Sequence, residues 1–279
     1  MTALTVKRPL ALAGRLRKTG VSGVGAMLFI VLLAVCAITA SWIAPYGESV
    51  LSGEILAGPS GAHWFGTDGL GRDVLSGIIF GSRISLTVGL SAAAAATLVG
   101  TVIGAYAGFR GGIVDTIVMR VAEMFQIFPS MILAALIIAL IGPGLTNVIL
   151  VIVLLAWPQT ARLARNEAMR LKDMDYVHAA RCLGHGRLRV LMSEVIPNLM
   201  GPVIALGTLI VGEAILLESA LSFLGLSAQG DLSWGRMLNE GWQVIFVAWW
   251  LSVFPGIAIF LTVLSMNLLG DAFNRRSEG

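Results

Sequence analysis

Residues 124–161 have the sequence MFQIFPSMILAALIIALIGPGLTNVILVIVLLAWPQTA, 38 residues without one charged side chain. Near its centre lie Gly142, Pro143 and Gly144, residue types that favour a tight turn. An apolar helix of about 20 residues crosses the roughly 30 Å hydrocarbon core of a bilayer. The stretch therefore predicts two membrane-spanning helices joined by a short turn.

Further charge-poor windows extend this pattern over the whole chain. With 57% hydrophobic and 13% charged residues, the chain lacks the roughly 25% charged residues that a typical soluble domain carries. Only helices or closed barrels satisfy the backbone in lipid, and long continuous apolar runs favour helices. We therefore expect an all-α membrane protein with about six transmembrane helices. The spans are expected near Val24–Ile43, within Ile84–Phe109, twice within 124–161, at about Leu199–Leu221 and inside Gly241–Gly270, where Pro255 predicts a kink.

The lysines and arginines predict the orientation of these helices. With the N-terminus inside, sixteen of the nineteen basic residues fall on the inner side, and only Arg72, Arg83 and Arg236 fall outside. Inner loops of membrane proteins are enriched in Lys and Arg. Both termini are therefore expected to be cytoplasmic.

The same pattern divides the chain into a membrane domain and two tails. The outer loop ends in Asp73–Leu86, whose apolar side chains predict a helix lying on the membrane surface. The expected segments are a cytoplasmic tail at 1–23, a transmembrane domain at 24–272 with an outer loop at 44–83 and a cytoplasmic loop at 162–198, and a cytoplasmic tail at 273–279.

The cytoplasmic loop contains residues that favour the start and the end of a short, rigid helix. Asp173-Met174-Asp175 offers an aspartate N-cap, and a helix of about two turns is expected over Tyr176–Leu183. Gly184 suits the left-handed conformation that ends a helix. A further helical stretch is expected over Leu188–Ile196, with Pro197-Asn198 as its break before the fifth span.

The loop DYVHAARCLGHGRLRVLMSEVIPN, Asp175–Asn198, resembles the EAA loop of bacterial ABC import permeases. That pattern is Glu-Ala-Ala, three residues, Gly, and a run that ends in a hydrophobic residue and Pro. His178 stands where the family usually has glutamate, and Glu194 where the peptide branch often has histidine. The residues that match in register are Ala179, Ala180, Gly184, Pro197 and Asn198.

Other segments resemble the second, C-type permease subunit of the dipeptide/oligopeptide/nickel branch of these importers. They occur in the family's order along the chain. The matching segments are HWFGTDGLGRDVLSGIIFGSRISL (His63–Leu86), FPS (Phe128–Ser130), LSFLGL (Leu221–Leu226) and NLLGD (Asn267–Asp271).

The resemblance implies a type I permease fold in the bacterial inner membrane and a set of partners. These are a second, B-type permease, two cytosolic ATPase subunits and a periplasmic or lipid-anchored solute-binding protein, with no nucleic acid. The chain lacks a GxxxxGK[ST] motif, so we expect no bound ATP. We also expect no other cofactor, no metal and no catalytic residue. The ATPase-coupling residues implied are Asp175, Tyr176, Val177, His178, Ala179, Ala180, Arg181, Gly184 and Pro197.

Polar residues elsewhere suggest two further sites. Glu213 and Glu218 lie in a predicted span, where ionisable residues usually face an interior or an aqueous cavity, so either is a candidate for the solute path. Glu218 alternatively lies near the outer end and is exposed to water. The arginines of the cytoplasmic loop alternatively face anionic lipid headgroups. Candidate contacts to the binding protein in the outer loop are Phe65, Gly66, Asp68, Gly71, Arg72 and Asp73.

The function expected from the sequence is translocation of di- or oligopeptides by alternating access, driven by partner ATPases. Nickel or glutathione-like solutes are the alternatives within the same class. An ion-coupled secondary transporter is the alternative of a different class, but it would normally be larger, with repeated halves and charged midplane sites.

Overall fold

The computed structural model describes residues 20–226, 230 and 232–277, and its regular structure is entirely helical apart from one isolated bridge, Thr67 to Asp73. The predicted all-α class is confirmed. A π-helical turn at Leu191–Val195 joins α8 to α9. The helices are α1 (Gly20–Ile38), α2 (Ala40–Ile43), α3 (Val74–Arg110), α4 (Gly112–Ile127), α5 (Ser130–Ile141), α6 (Leu145–Leu171), α7 (Asp175–Cys182), α8 (Arg187–Val190), α9 (Ile196–Phe223), α10 (Trp234–Trp242) and α11 (Trp250–Ser277).

Four helical segments of the described chain are long and apolar enough to cross a membrane: α3, α6, the continuous run Arg187–Phe223, and α11. The pair α4 and α5 passes the same test together, but is bent by 89° at its break. α1 supplies a shorter apolar stretch, Gly23–Ile38. Of about six expected spans, the described helices therefore supply four, or five if the bent pair is one span, and α1 is shorter than a full span. The tail before residue 20 lies outside the described residues.

The bend between α4 and α5 has a local cause at Phe128-Pro129. Phe128 is extended, with φ −96° and ψ 146°, which is the conformation that a following proline imposes. Pro129 then leads into α5. The predicted turn at residues 142–144 is confirmed, because α5 ends at Ile141 and Gly142 has φ +93°.

The predicted surface helix at Asp73–Leu86 is wrong. These residues form the first third of α3, which runs unbroken for 37 residues. Asp73 caps the helix, since its Oδ2 accepts a hydrogen bond of 2.8 Å from the Ser76 backbone N–H. Of the apolar side chains that suggested a lipid contact, Val74 is buried and Leu75, Ile78 and Ile79 are partly buried. The same part of α3 packs against α10, where Gly81 lies beside the fully buried Trp234.

The predicted helix break at Pro197-Asn198 is also wrong, since helical structure continues from Arg187 to Phe223. Pro197 directly follows the π turn, in which the Ile196 N–H bonds to the Leu191 carbonyl five residues back. This turn already interrupts the four-residue hydrogen-bond pattern that a proline would otherwise break. Asn198 donates a 2.6 Å hydrogen bond from its side chain to the Glu194 carbonyl. The second half of the cytoplasmic loop and the fifth span therefore form one continuous helical segment and should move together.

The bundle is built around α3, which packs along α6 more extensively than any other described pair of helices. α9 packs against α3, α6 and α11, and α1 lies against α11 and α3. The end of the bundle that carries α7 has its own hydrophobic cluster. It includes Leu171, Val177, Val190, Leu191 and Leu199, all buried.

Candidate functional site

The short helix α7 spans Asp175–Cys182, one residue earlier than expected at both ends. Gly184 has φ +83° and donates its backbone N–H to the Arg181 carbonyl at 2.9 Å, so it closes the helix as predicted. The predicted aspartate cap is wrong. Met174 occupies the N-cap with an extended backbone and no side-chain hydrogen bond. Asp175 instead lies in the first turn, where a carboxylate favours the positive end of the helix dipole.

One face of α7 is anchored and the other is open. Val177 and Ala180 are buried in the cluster beneath the helix. Asp175, Tyr176, His178 and Ala179 are exposed on the other face, together with Gly184 behind it. These five exposed residues are all predicted to couple to an ATPase, and they form one surface. Pro197, which was predicted with them, lies apart in α9.

Apolar side chains that flank α7 enlarge this surface. Leu183 is 79% exposed and Leu188 is 68% exposed. The sequence interpretation did not select them, although two leucines on either side of a glycine-rich turn were a usable signal. Together with α7 they form an exposed apolar and polar patch, which we call the α7 surface: Asp175, Tyr176, His178, Ala179, Leu183, Gly184 and Leu188.

A groove of about 630 Å³ opens between the α4–α5 bend, α6 and α9. Its polar side chains include Gln126, Gln159, Arg162 and Glu213. The other walls are mostly apolar, with Phe125, Phe128, Met131, Ile152, Leu155, Ala156, Ile210, Leu216 and Leu217 among them.

Of the two acidic residues predicted for a solute path, only Glu213 lines this groove. The sequence interpretation missed Gln126, Gln159 and Arg162 as lining residues. A signal was present on α6, because Ile152, Leu155, Ala156, Gln159 and Arg162 follow the three- and four-residue spacing of one helix face. Only the position of α9 and the bend shows that this face is open.

Glu218 lies elsewhere and serves a different role. Its side chain is buried, and the residue is 2% exposed, so the interpretation of Glu218 as a water-exposed carboxylate is wrong. Ser222 donates a 2.7 Å hydrogen bond to Oε1, and Ser85 and Ser219 donate longer ones of 3.4 Å to Oε2. The carboxyl group thus links α9 to α3.

An ion pair fixes α4 against α6 beside the groove. Arg165 donates from both Nε and Nη2 to the carboxylate of Asp115, the second contact at 2.6 Å. Fork-to-fork pairing of this kind is both strong and directional. By contrast, Arg120 and Glu123 on the outside of α4 form a 3.0 Å pair with side chains 74% and 53% exposed.

The predicted contacts of the outer loop mostly face inward. Phe65 stacks on Phe254 with 4.0 Å between ring centroids. Arg72 pairs with Asp68 at 2.6 Å and with Glu240 of α10 at 3.2 Å. Asp73 is buried and lies 3.0 Å from the ring of His63. Gly66 and Gly71 are buried with φ +78° and +81°.

These contacts attach the outer loop to α10 and α11. The loop exposes other side chains, which the sequence interpretation did not select. They are apolar: Leu51, Ile55, Trp64 and Leu70, each at least 61% exposed.

Among the described residues, no group of three or more His, Cys, Asp or Glu side chains is placed to hold a metal ion. Cys36 and Cys182 are both free thiols.

Comparison with known proteins agrees with this architecture. Residues 100–279 match the model of the family described as binding-protein-dependent transport system inner membrane component. The chain belongs to this family of membrane permeases, and it is a multi-pass protein of the inner membrane. The resemblance to ABC importer permeases is confirmed.

Several named relatives are similar along most of their length. The glutathione transport system permease protein GsiD of Escherichia coli O6:K15:H31 (strain 536 / UPEC) is 40% identical over 249 residues, 88% of this chain and 82% of the relative. GsiD of Pectobacterium atrosepticum is 38% identical over 251 residues, 89% and 83% of the two chains. The di/tripeptide transport system permease protein DppC of Pseudomonas aeruginosa (strain UCBPP-PA14) is 39% identical over 255 residues, 88% and 84%.

Proposed function

We propose that this chain is the C-type permease subunit of an ATP-driven importer of short peptides, and that the groove beside Glu213 is its share of the solute path. The observation that carries the proposal is the chemistry of the groove, which combines one carboxylate, one guanidinium and two amides with apolar walls. The relatives named for glutathione and for di- and tripeptides support the same solute class.

A short peptide presents complementary groups to each of these side chains. Its terminal ammonium matches the carboxylate of Glu213, and its terminal carboxylate matches the guanidinium of Arg162. The amides of Gln126 and Gln159 offer donors and acceptors to the peptide bonds, and the apolar walls accommodate varied side chains. Nickel would be better served by imidazole or thiolate ligands, and the groove lining contains neither.

Transport would be powered from the end of the bundle that carries α7. The α7 surface is rigidly held by the buried Val177 and Ala180, so a push on it is transmitted into α6 and the continuous run Arg187–Phe223. Two cytosolic ATPases would dock there, one of them on this chain. A B-type permease would complete the path, and a periplasmic or lipid-anchored binding protein would deliver the solute. Both termini would lie in the cytoplasm, which the distribution of the basic residues along the sequence supports.

The test is uptake by liposomes that contain the complete transporter, assembled from this chain and its co-expressed neighbours. Labelled di- and tripeptides, glutathione and nickel are compared, with and without ATP. We expect ATP-dependent peptide uptake. Uptake that needs no ATP and follows an imposed proton gradient would establish the secondary transporter instead, and ATP-dependent uptake of nickel alone would overturn the peptide assignment.

Blocked peptides then test the groove itself. Replacing Glu213 with Gln should lower uptake of a free dipeptide at least about tenfold, the lower limit for one hydrogen bond to a charged group, and should barely change uptake of its N-acetylated form. Arg162→Gln should act likewise on free compared with amidated C-termini. Because the binding protein is identical in every assay, its own selectivity cancels in these ratios. Equal losses for free and blocked peptides would contradict the assignment, and Glu123→Gln, outside the groove, is the matched control.

A further inference from the structure

A second cavity, of about 560 Å³, lies at the end of the bundle that carries α7. It is bounded by the last turn of α3, the α6–α7 junction, α7 and α8. Four of its lining side chains are cationic, namely Arg110, Lys172, Arg181 and Arg187, and one is acidic, Asp173. We call it the basic cavity. The groove described above lies on different residues throughout.

Among the described residues, none of the four cations forms an ion pair with a carboxylate, that of Asp173 included, and two of the four make other contacts. Arg181 lies over the ring of Phe109 at 5.1 Å from its centroid. Arg110 donates a 2.6 Å hydrogen bond to the Tyr106 hydroxyl. Asp115, beyond the cavity lining, is the acidic group whose charge interacts with Lys172. Three other arginines near this end are paired, namely Arg120 with Glu123, Arg165 with Asp115 and Arg170 with Glu167, whereas Arg162 and Arg189 form no ion pair within the described residues.

The other walls of the basic cavity are apolar. Phe109, Leu188 and Leu191 line it beside the cations, and Tyr106 belongs to a helix apolar enough to cross the membrane. A ligand that fits must carry concentrated negative charge next to hydrocarbon, at the level where the spanning helices leave the membrane. Anionic phospholipids have this composition, and basic cavities between helices at the inner leaflet bind their headgroups.

We propose that the basic cavity binds the phosphodiester headgroup of an anionic phospholipid. The headgroup bridges Arg110 at the end of α3 to Arg181 on α7 and Arg187 on α8. It therefore neutralises like charges that α3, α7 and α8 bring to one cavity, and it ties the α7 surface to the spanning bundle. The lipid acts as a structural ligand of the coupling region, and its loss loosens α7 without altering the groove.

The experiment measures binding of dioleoylphosphatidylglycerol to the purified, complete transporter by native mass spectrometry, against dioleoylphosphatidylcholine. We expect preferential binding of phosphatidylglycerol. Each of Arg181→Gln and Arg187→Gln should weaken it about fivefold, the usual share of one basic residue at a membrane surface. Arg189→Gln is the matched control, because Arg189 is an exposed arginine of the same helix α8 and does not line the cavity.

The outcomes separate the proposal from its rivals. If Arg187→Gln and Arg189→Gln weaken phosphatidylglycerol binding equally, the effect depends only on the overall charge of the protein, and the proposed site is wrong. Displacement of the lipid by millimolar inorganic phosphate would make the cavity a site for free phosphate, not for a membrane lipid. Arg187→Lys keeps the charge but loses the paired N–H donors of the guanidinium, so its binding should lie between that of Arg187→Gln and that of the unaltered transporter. An unaltered transporter that binds phosphatidylglycerol no better than phosphatidylcholine would overturn the proposal.

Discussion

Gly104 of α3 lies so close to Ala161 of α6 that a Cβ atom on the glycine would stand 2.7 Å from the Ala161 Cα and overlap its carbonyl oxygen. Gly100 and Gly108 repeat the contact one turn away on either side, against the backbones of Trp157 and Arg165. In lipid, helices associate through close packing of small residues of this kind. The three glycines therefore set the position of α6, and with it one wall of the groove.

Replacing Gly104 with Ala should destabilise the protein by about 1–3 kcal/mol, the usual cost of an added methyl group in a closely packed interface. Thermal unfolding of the purified protein in detergent measures this as a lowered Tm. Gly25→Ala is the control, because a Cβ at Gly25 of α1 meets nothing within 4 Å. Equal Tm values for the two variants would show that α3 and α6 separate easily.

The ion pair between Arg165 and Asp115 should contribute more to the free energy of unfolding than the exposed pair of Arg120 and Glu123 on α4. Asp115→Asn leaves a half-buried guanidinium with a weaker partner, and we expect a loss of about 1–3 kcal/mol. Glu123→Gln breaks the exposed pair with Arg120 and should cost about 0–1 kcal/mol. Both are read from the same unfolding curves. A loss for Glu123→Gln as large as that for Asp115→Asn would contradict the difference in burial.

Glu218 and Glu213 lie only five residues apart on α9, but their substitution should affect different properties. Glu218 should matter for stability and Glu213 for transport. Glu218→Ala removes the acceptor of the serine hydroxyls around it, and we expect a destabilisation of about 3 kcal/mol or more, since each buried donor left without a partner costs about 1–3 kcal/mol. Glu213→Ala should leave the Tm nearly unchanged, because its side chain faces the open groove. Unfolding curves compare the two, and a fully stable Glu218→Ala variant would refute the linking role.

Gly184 should be sensitive to any side chain, whereas Gly186 should not. A Cβ would meet no neighbour at either position, but Gly184 has φ +83° and Gly186 has φ −64°. The left-handed conformation costs an ordinary residue about 1–2 kcal/mol. Gly184→Ala should therefore speed amide hydrogen exchange in α7 about five- to thirtyfold. A free-energy cost of this size raises the equilibrium constant for local opening of the helix by the same factor.

The control for that experiment is Gly186→Ala, which should leave the exchange rates of α7 unchanged. In the assembled transporter, Gly184→Ala should also lower peptide uptake for each ATP hydrolysed, since a frayed α7 transmits less of the motion of its ATPase. Faster exchange without any change in this ratio would remove α7 from the coupling path while leaving the structural explanation of Gly184 intact.

Parts of the site could be derived from the sequence because they depend on local geometry. Gly184 was expected to end α7, and it does, because a left-handed residue at a helix end is a local requirement that glycine meets best. The aspartate cap failed for the opposite reason. Asp173, Met174 and Asp175 all suit a turn, and the burial of Val177 and Ala180 beneath α7 fixes which one begins the helix.

The sequence by itself determined that the protein lies in a lipid bilayer and that its spans are helices. Lipid offers no hydrogen-bond partners, so the backbone groups of a long uncharged segment must bond to each other within a helix. Only the tertiary structure decided what the polar residues do. Glu213 and Glu218 have the same side chain on the same helix, yet one faces an open groove and the other a shell of serines. That difference arises from which helices pack against each side of α9, through contacts between residues as distant in sequence as Ser85 and Glu218.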